Sequence, residues 1–192
     1  MGFLSVLSQA QRWVKDRAGP GDCVVDATAG NGSDTLFLAR TVGPRGRVFA
    51  FDVQAEALES TRRRLAGDPD AGTLAPAELV LAGHETMEET LPAELHGRVA
   101  AVMFNLGYLP GASSPLITLP GTTLAALEAA IRLLRSGGAL TAVVYPGHEG
   151  GRDEADAVEG WAARLPQTVA QAVVYRFPQK PASPYLVALN KR

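Results

Sequence analysis

The 192-residue chain contains one cysteine and three histidines, and no apolar run approaches the roughly 20 residues that a membrane-spanning helix requires. The single cysteine, Cys23, excludes an internal disulfide and a zinc cluster built from cysteines. The N-terminal residues have neither the basic segment nor the long apolar segment of a signal peptide. His84 and His148 lack the spacing of a helical metal site. We therefore expect a cytoplasmic protein with no metal and no membrane contact.

Composition and charge are those of a globular domain. Apolar residues make up 46% and charged residues 20% of the chain. Its length predicts one domain over residues 1–192, with an N-terminal helix in 1–20 and the core in 21–192.

The net charge of −2 argues against a general nucleic-acid coat protein. However, residues 171–192 carry basic residues and no acid. A neutral-to-basic face for an anionic polymer and an ordinary solvated surface both fit this distribution.

Apolar runs alternate with amphipathic segments along most of the chain. This alternation predicts an α/β fold with a parallel sheet that is covered on both faces. The predicted strands lie near 23–28, 47–52, 77–82, 98–104 and 138–145, and the predicted helices near 3–18, 33–41, 54–66, 86–95, 121–135 and 152–164.

The C-terminal part breaks the alternation. Two strand-like runs, 168–177 and 185–189, are joined by a proline-rich turn that leaves no room for a helix. They predict an antiparallel hairpin, which completes a mostly parallel, Rossmann-like sheet of seven strands with an extra N-terminal helix. This order is typical of class I S-adenosylmethionine (SAM) methyltransferases rather than of plain dehydrogenase domains.

A short glycine loop follows the first predicted strand. Asp26 ends that strand, and Thr28, Gly30, Asn31 and Gly32 lead into a helix. Glycines let backbone N–H groups approach a nucleotide cofactor closely, because no Cβ intervenes. We expect Asp26 and the loop to border the methionine end of SAM; the alternative is that Asp26 caps the turn. Asp34, in the first helical turn, is interpreted as a carboxylate that suits the helix dipole.

A second set of cofactor residues follows the next two strands. Asp52 stands about twenty residues after the glycine loop, where an acid accepts hydrogen bonds from ribose hydroxyls. We expect Val53 and Gln54 to flank the adenosine. His84 and Glu85 follow the third strand, where the adenine edge would lie, although a purely structural histidine fits equally well.

Candidate substrate-side residues follow the fourth and fifth strands. Asn105 and Tyr108 stand directly after the fourth strand, in the spacing that many methyltransferases of exocyclic nitrogens use, but Leu106 and Gly107 replace the usual prolines. An Asn carbonyl can accept from an amine and an aromatic ring can stack on a base; a loop with a packed tyrosine is the alternative. His148, after the fifth strand, is a candidate proton acceptor.

These motifs resemble a bacterial family first described as rRNA methylases and now associated with tRNA 5-aminomethyl-2-thiouridine methyltransferase activity. The resemblance covers nearly the whole chain, and its most specific segments are residues 26–36 (DATAGNGSDTL), 105–111 (NLGYLPG) and 144–151 (VYPGHEGG). The chain departs from the family at Ala29, where many relatives have Cys, and at residues 178–180, where relatives usually have Asn.

The resemblance implies methylation of the aminomethyl nitrogen of a modified wobble uridine, with SAM as cofactor and a tRNA anticodon stem-loop as partner. Asn105 would orient the amine, Tyr108 would pack against the base, and His148 or His84 would receive the proton. Apolar residues on the first helix fit a homodimer and core packing equally well.

Three alternatives remain open at this point. The first is a methyltransferase of rRNA or of a small metabolite. The second is a nicotinamide-dependent oxidoreductase, which the glycine loop permits but Asp26 and the terminal hairpin disfavour. The third is a noncatalytic RNA-binding factor that retains the fold.

Overall fold

The computed structural model describes residues 2–107, 118–147, 150–180 and 182–192. In these residues a seven-stranded sheet has the order β3-β2-β1-β4-β5-β7-β6. The strands are β1 Cys23–Asp26, β2 Arg47–Asp52, β3 Ala77–Leu81, β4 Val99–Leu106, β5 Leu134–Val144, β6 Ala170–Tyr175 and β7 Tyr185–Lys191. The helices are α1 Val6–Lys15, α2 Ser33–Val42, α3 Ala55–Ala66, α4 Met87–Thr90, α5 Pro120–Leu133 and α6 Gly151–Arg164. None of these helices is long and apolar enough to cross a membrane.

Both faces of the sheet are buried, as the continuous apolar strands predict. Successive strand residues point to opposite faces, so Val25 belongs to a core cluster that also contains residues of α5 and α6. Its neighbour Val24 belongs to a second cluster that contains residues of α1 and α2. The extra N-terminal helix therefore covers one face of the sheet.

The C-terminal strands confirm the predicted hairpin. Strands β1 to β5 pair in parallel, whereas β7 pairs antiparallel with both β5 and β6. A dinucleotide-binding sheet would continue from β5 to a parallel sixth strand. The insertion of an antiparallel β7 next to β5 gives the fold class that the sequence predicts.

Several predicted boundaries differ from the structure. β4 continues to Leu106, so Asn105 lies within this strand, whereas the sequence predicts it directly after the strand. The helix expected near 86–95 is wrong: a 3-10 turn, the four-residue α4 and a second 3-10 turn occupy this segment. Pro92 ends the helical pattern because the residue before a proline avoids the α conformation, and Leu91 is extended with ψ of 138°. α1 begins only at Val6, where the Ser5 side chain accepts the Ser8 N–H. α5 ends at Leu133, so β5 begins four residues earlier than predicted.

Gly32 occupies a position that excludes a side chain. Its φ is +78°, and a Cβ built there would lie 2.8 Å from the Cα of Thr61. We expect Gly32→Ala to lower the free energy of unfolding by about 3 kcal/mol, from left-handed backbone strain and steric overlap together. Urea denaturation measures the loss. Gly72→Ala is the matched control, because Gly72 has no neighbour within 4 Å of a built Cβ; equal stability of the two variants would contradict this explanation.

Candidate active site

The carboxyl ends of the central strands open into a cavity of about 730 Å³. This volume lies in the usual range of small-molecule sites, roughly 300–1,000 Å³. Most of the wall comes from the ends of β1, β2, β3 and β4 and the loops that follow them, and α1, the beginning of α5 and the residue after β5 complete it. The wall includes Leu7, Gln11, Thr28, Gly30, Asn31, Asp34, Asp52, Val53, Gln54, His84, Glu85, Asn105, Thr118, Leu119 and Tyr145.

Asp52 connects the glycine loop to the end of β2. Its Oδ2 accepts the Gly30 N–H at 2.9 Å, and its Oδ1 accepts the Gln54 N–H at 2.9 Å. Each carboxylate oxygen can accept a further hydrogen bond. The Asp52 carboxylate is therefore fixed by two backbone groups and still able to bind a pair of hydroxyls in the cavity.

The rest of the glycine loop is held from outside the cavity. The Asn31 side-chain oxygen Oδ1 accepts the Ser33 N–H at 3.2 Å, and the Asn31 backbone carbonyl accepts the Arg64 Nε–H at 2.6 Å. Thr61, on α3, donates its hydroxyl to the Gly30 carbonyl at 3.3 Å. The loop is thus braced by α3, which leaves its inner side to the cavity.

Asp26 lies behind the cavity wall and is completely buried. Its oxygens accept the Thr28 N–H at 3.1 Å and the Thr35 hydroxyl at 2.6 Å. Burial, and next the charge of Asp34, raise the pKa of Asp26 to about 7. The contacts observed for Asp26 are those of the turn-capping alternative, and Asp34 is the carboxylate that lines the cavity at this end.

The raised pKa predicts a pH dependence of stability. An unfolded Asp has a pKa of about 3.9, so between that pH and about 7 the folded protein binds more protons at Asp26 than the unfolded chain does. The contribution of Asp26 to the free energy of unfolding therefore falls as pH rises through this window, by at most about 1.4 kcal/mol per pH unit.

Asp26→Asn tests this directly, because an amide mimics the neutral carboxyl and can still accept from Thr28 and bond to Thr35. We expect the stability difference between variant and wild type to shift in favour of the variant as pH rises from 4 to 7. Urea denaturation across that range measures it. Parallel pH profiles for the two proteins would contradict the assignment.

Asn105 is held in one orientation by a network from three parts of the chain. Its Nδ2 donates to Asp34 Oδ2, and its backbone N–H donates to the Thr28 hydroxyl at 2.7 Å. The second oxygen of Asp34 accepts Gln11 Nε2 at 2.8 Å. A carboxylate accepts only from the NH₂ end of an amide, so Asp34 fixes which way the Asn105 amide points and leaves Oδ1 as the acceptor on the cavity wall.

Tyr145 borders that acceptor. Its hydroxyl lies 3.5 Å from Asn105 Oδ1, at the limit of a hydrogen bond. Burial, and next the charge of Asp34, raise the pKa of the Tyr145 phenol above its usual value, so it remains a neutral donor near pH 7. The Asn105 amide is therefore bounded by one carboxylate and one phenol.

His84 is buried and lines the cavity, and exposed Glu85 follows it. His84 Nδ1 lies 3.3 Å from the Ala27 carbonyl, and its ring meets the edge of Phe104. Burial is the main cause that lowers the pKa of His84, so the ring is neutral at pH 7. A neutral ring that donates through Nδ1 to Ala27 has Nε2 as its acceptor.

The structure brings most of the predicted site residues together around one cavity, but Tyr108 and His148 lie outside the described residues. The uncharged segment 111–120 is predicted from its composition to form a pocket wall, and its described residues Thr118 and Leu119 line the cavity. Sequence reasoning missed Leu7 and Gln11, and misinterpreted Asp34. Helical periodicity places Leu7 and Gln11 on α1, but no local pattern says that α1 reaches Asp34, 23 residues from Gln11 along the chain. In the part of the chain that the structure describes, no cluster of three potential metal ligands occurs.

The strand order, with its antiparallel β7, and the strand-end cavity define the class of this protein: it has the fold of SAM-dependent methyltransferases. The family described as "Putative rRNA methylase" matches residues 48–191, and the chain belongs to this family of methyltransferases. Both the fold and the family that the sequence predicts are thereby confirmed.

Individual relatives agree with this assignment. The chain is 41% identical over 177 residues to "tRNA (mnm(5)s(2)U34)-methyltransferase, chloroplastic" of Arabidopsis thaliana. The aligned region covers 90% of this chain and 64% of the plant protein. The crystal structure of a "putative rRNA-methylase" from Clostridium thermocellum superimposes with a TM-score of 0.92 at 36% identity over all of both chains. A "putative methyltransferase" from Streptococcus mutans in complex with SAH gives 0.85 at 32% identity, again over all of both chains.

Proposed function

We propose that the protein transfers a methyl group from SAM to the aminomethyl nitrogen of a modified uridine at the wobble position of tRNA. The single observation that carries the proposal is the orientation of Asn105. Its amide is fixed by Asp34 so that Oδ1 is an acceptor on the cavity wall. The name of the Arabidopsis relative, a tRNA (mnm(5)s(2)U34)-methyltransferase, supports the choice of substrate.

The residues around the glycine loop fit SAM. The Asp52 carboxylate, already aligned by Gly30 and Gln54, has the lone pairs to bind both ribose hydroxyls. Val53, more than half exposed, and Glu85 lie on the wall where an adenine ring would follow the ribose. Asp34 supplies a carboxylate for the methionine ammonium at the other end. When bound, SAM supplies an electrophilic methyl group on a positively charged sulfur.

The acceptor must reach the site as a neutral amine. An alkylamine has a pKa of about 10, so its neutral form at pH 7 costs about 4 kcal/mol. Desolvation in the cavity reduces this cost because it disfavours the ammonium. Asn105 Oδ1 then accepts an N–H of the amine. This hydrogen bond orients the amine so that the lone pair of its nitrogen points towards the methyl group of SAM. Orientation and a dry site are the contributions of the protein to such a displacement.

Proton acceptance is assigned to a histidine. His84 is the candidate within the described residues, since it is neutral and its Nε2 is an acceptor. His148 keeps the same predicted role, and Tyr108 keeps its predicted role of packing against the base. The predicted homodimer, the cytoplasmic location and the single-domain organisation remain predictions.

Ribosomal RNA is the second candidate substrate, and the family description favours it. The modest net charge of −2 suits a small metabolite as well. Use of a nicotinamide cofactor is disfavoured by the strand order, because β7 inserts antiparallel where a dinucleotide-binding sheet continues in parallel. A noncatalytic RNA-binding role would leave the fixed Asn105 amide without a purpose.

Methyl transfer to RNA from a strain lacking the gene tests the proposal. Total tRNA and ribosomal RNA from that strain are incubated separately with the protein and methyl-labelled SAM, and the nucleosides are analysed by mass spectrometry. We expect label in 5-methylaminomethyl-2-thiouridine from the tRNA, and none in ribosomal RNA. Label only in ribosomal RNA would replace the proposed substrate by the second candidate, and no label in either RNA would contradict both.

A further inference from the structure

An exposed apolar and basic surface adjoins the cavity on the side of α1. We define the α1–hairpin surface by Phe3, Leu7, Arg12 and Lys180, all of which are exposed. Phe3 is 87% exposed, an unusual state for an aromatic residue in a folded protein. Leu7, in the first turn of α1, is 43% exposed and also lines the cavity. The surface therefore continues directly from the cavity wall.

The segment that carries Phe3 is anchored rather than loose. The Leu4 carbonyl accepts the Tyr175 hydroxyl at 2.8 Å, and the rings of Trp13 and Tyr175 meet edge to face at 6.1 Å. Phe177 packs against Tyr175 in turn, and its carbonyl accepts the Lys180 N–H at 3.1 Å. These contacts bring the two ends of the chain together and hold Phe3 and Lys180 on one side of the cavity.

The two chain segments that meet here share one charge pattern. Residues 1–15 contain Arg12 and Lys15 and no acid, and residues 171–180 contain Arg176 and Lys180 and no acid; the remaining basic residues of the C-terminal segment, Lys191 and Arg192, lie at the other end of the sheet, where Lys191 Nζ donates to the Leu134 carbonyl. The nearest acids are Asp34, which accepts Gln11 Nε2 of α1 at 2.8 Å, Asp16 at the C-terminal end of α1, and Glu159, which lies 3.8 Å from Arg176. Among the described residues, neither Arg12 nor Lys180 forms a salt bridge. The four residues that define the surface therefore carry two positive charges and no negative charge, and Asp34 lies on the adjoining cavity wall.

We propose that the α1–hairpin surface binds the single-stranded RNA next to the methylated nucleotide, with Phe3 stacked on a neighbouring base. This inference rests on the proposed function. An exposed aromatic ring beside cations is the combination that single-stranded RNA requires, because the ring stacks on a base while the cations pair with phosphates. Continuity with the cavity places the bound strand where one flipped nucleotide could enter the site.

The test measures binding of an anticodon stem-loop RNA by fluorescence anisotropy, independently of methyl transfer. We expect Phe3→Ala to weaken binding about 10-fold, as the loss of one stacked base does. Lys180→Glu and Arg12→Glu should each weaken it and reduce the salt dependence, by about 0.7 in the slope of log K against log salt for a lost single-strand phosphate contact. The affinity for SAM should not change.

Two matched variants serve as controls. Leu81→Ala removes a side chain that is 61% exposed at the end of β3 and does not line the cavity. Arg45→Glu makes the same charge change as Arg12→Glu, but in the turn before β2, at the N-terminal end of the parallel strands, whereas the cavity lies at their carboxyl ends. Both controls should bind RNA as the wild type does.

The outcomes separate this inference from the proposed function. RNA binding that depends on Phe3 and Lys180, without methylation of any RNA, would support the surface and contradict the proposed activity. Methylation of tRNA with RNA affinity unchanged in Phe3→Ala and Lys180→Glu would overturn the surface. The surface would also be overturned if the wild type sediments as a dimer, Phe3→Ala or Lys180→Glu sediments as a monomer, and the variant binds RNA as tightly as the wild type. The surface would then contact a second copy of the chain.

Discussion

Replacing Asn105 by Ala is expected to lower kcat for methyl transfer by about 100-fold or more, while the Kd for SAM stays within about threefold. The amide oxygen is the group that aligns the acceptor amine, and its position is set by Asp34 and by the Thr28 hydroxyl. The loss should therefore appear in the chemical step and not in cofactor binding. Single-turnover transfer of labelled methyl, together with calorimetric titration of SAM, separates the two effects.

Asn190→Ala is the matched control for this variant. The Asn190 side chain donates to the carbonyls of Gly137 and Gly138 on β5, far from the cavity wall, so its loss should affect stability and leave kcat unchanged. A double-mutant cycle at saturating SAM adds a sharper test of the network, because Asp34 positions the Asn105 amide and also faces the methionine ammonium. Asp34→Ala should lower kcat by a larger factor in the wild type than in Asn105→Ala, and it should raise the Kd for SAM by the same factor in both backgrounds. Full turnover in Asn105→Ala would remove the central assignment.

Replacing Asp52 by Ala is expected to raise the Kd for SAM by about 100-fold or more. Two hydrogen bonds from hydroxyls to a carboxylate contribute about 1.5–3 kcal/mol each. The variant also deprives the Gly30 and Gln54 N–H groups of their acceptor, which loosens the glycine loop at its contact with β2. Calorimetric titration measures the change, and kcat at saturating SAM should fall much less than the affinity does.

Two further variants make the Asp52 result interpretable. Asp52→Asn keeps one side-chain acceptor and should show an intermediate loss of affinity. Asp70→Ala removes an exposed carboxylate that does not line the cavity and should bind SAM as the wild type does. Unchanged affinity in Asp52→Ala would show that the ribose binds elsewhere.

The features of the fold that follow from local patterns were predictable from the sequence. Continuous apolar strands such as residues 99–104 indicate a parallel sheet, and the absence of a helical segment between residues 177 and 185 indicates the antiparallel β6–β7 pair. Asp52 and Gly30 were predictable for the same reason, because their spacing follows from one strand, one loop and one helix.

Contacts between distant parts of the chain were not predictable in this way. Asn105 is 71 residues from Asp34, and Gln11 is 23 residues from it, so no periodicity or spacing relates the three. The isolated position of Asp34 in a first helical turn suggested a helix-dipole role, and only the packing of α1 over the sheet shows its contacts. Similarly, the amphipathic pattern near 86–95 predicts one continuous helix, but Pro92 ends the helix in the middle of that pattern.

The most direct test of the central claim uses a synthetic anticodon stem-loop that carries a single 5-aminomethyl-2-thiouridine at the wobble position, and an otherwise identical RNA with unmodified uridine there. Each is incubated with the wild-type protein and SAM, and its nucleosides are analysed by mass spectrometry. We expect a mass gain of one methyl group on the aminomethyl nitrogen of the modified RNA, and no methylation of the unmodified one. Equal methylation of both RNAs, or none of the modified RNA, would contradict it.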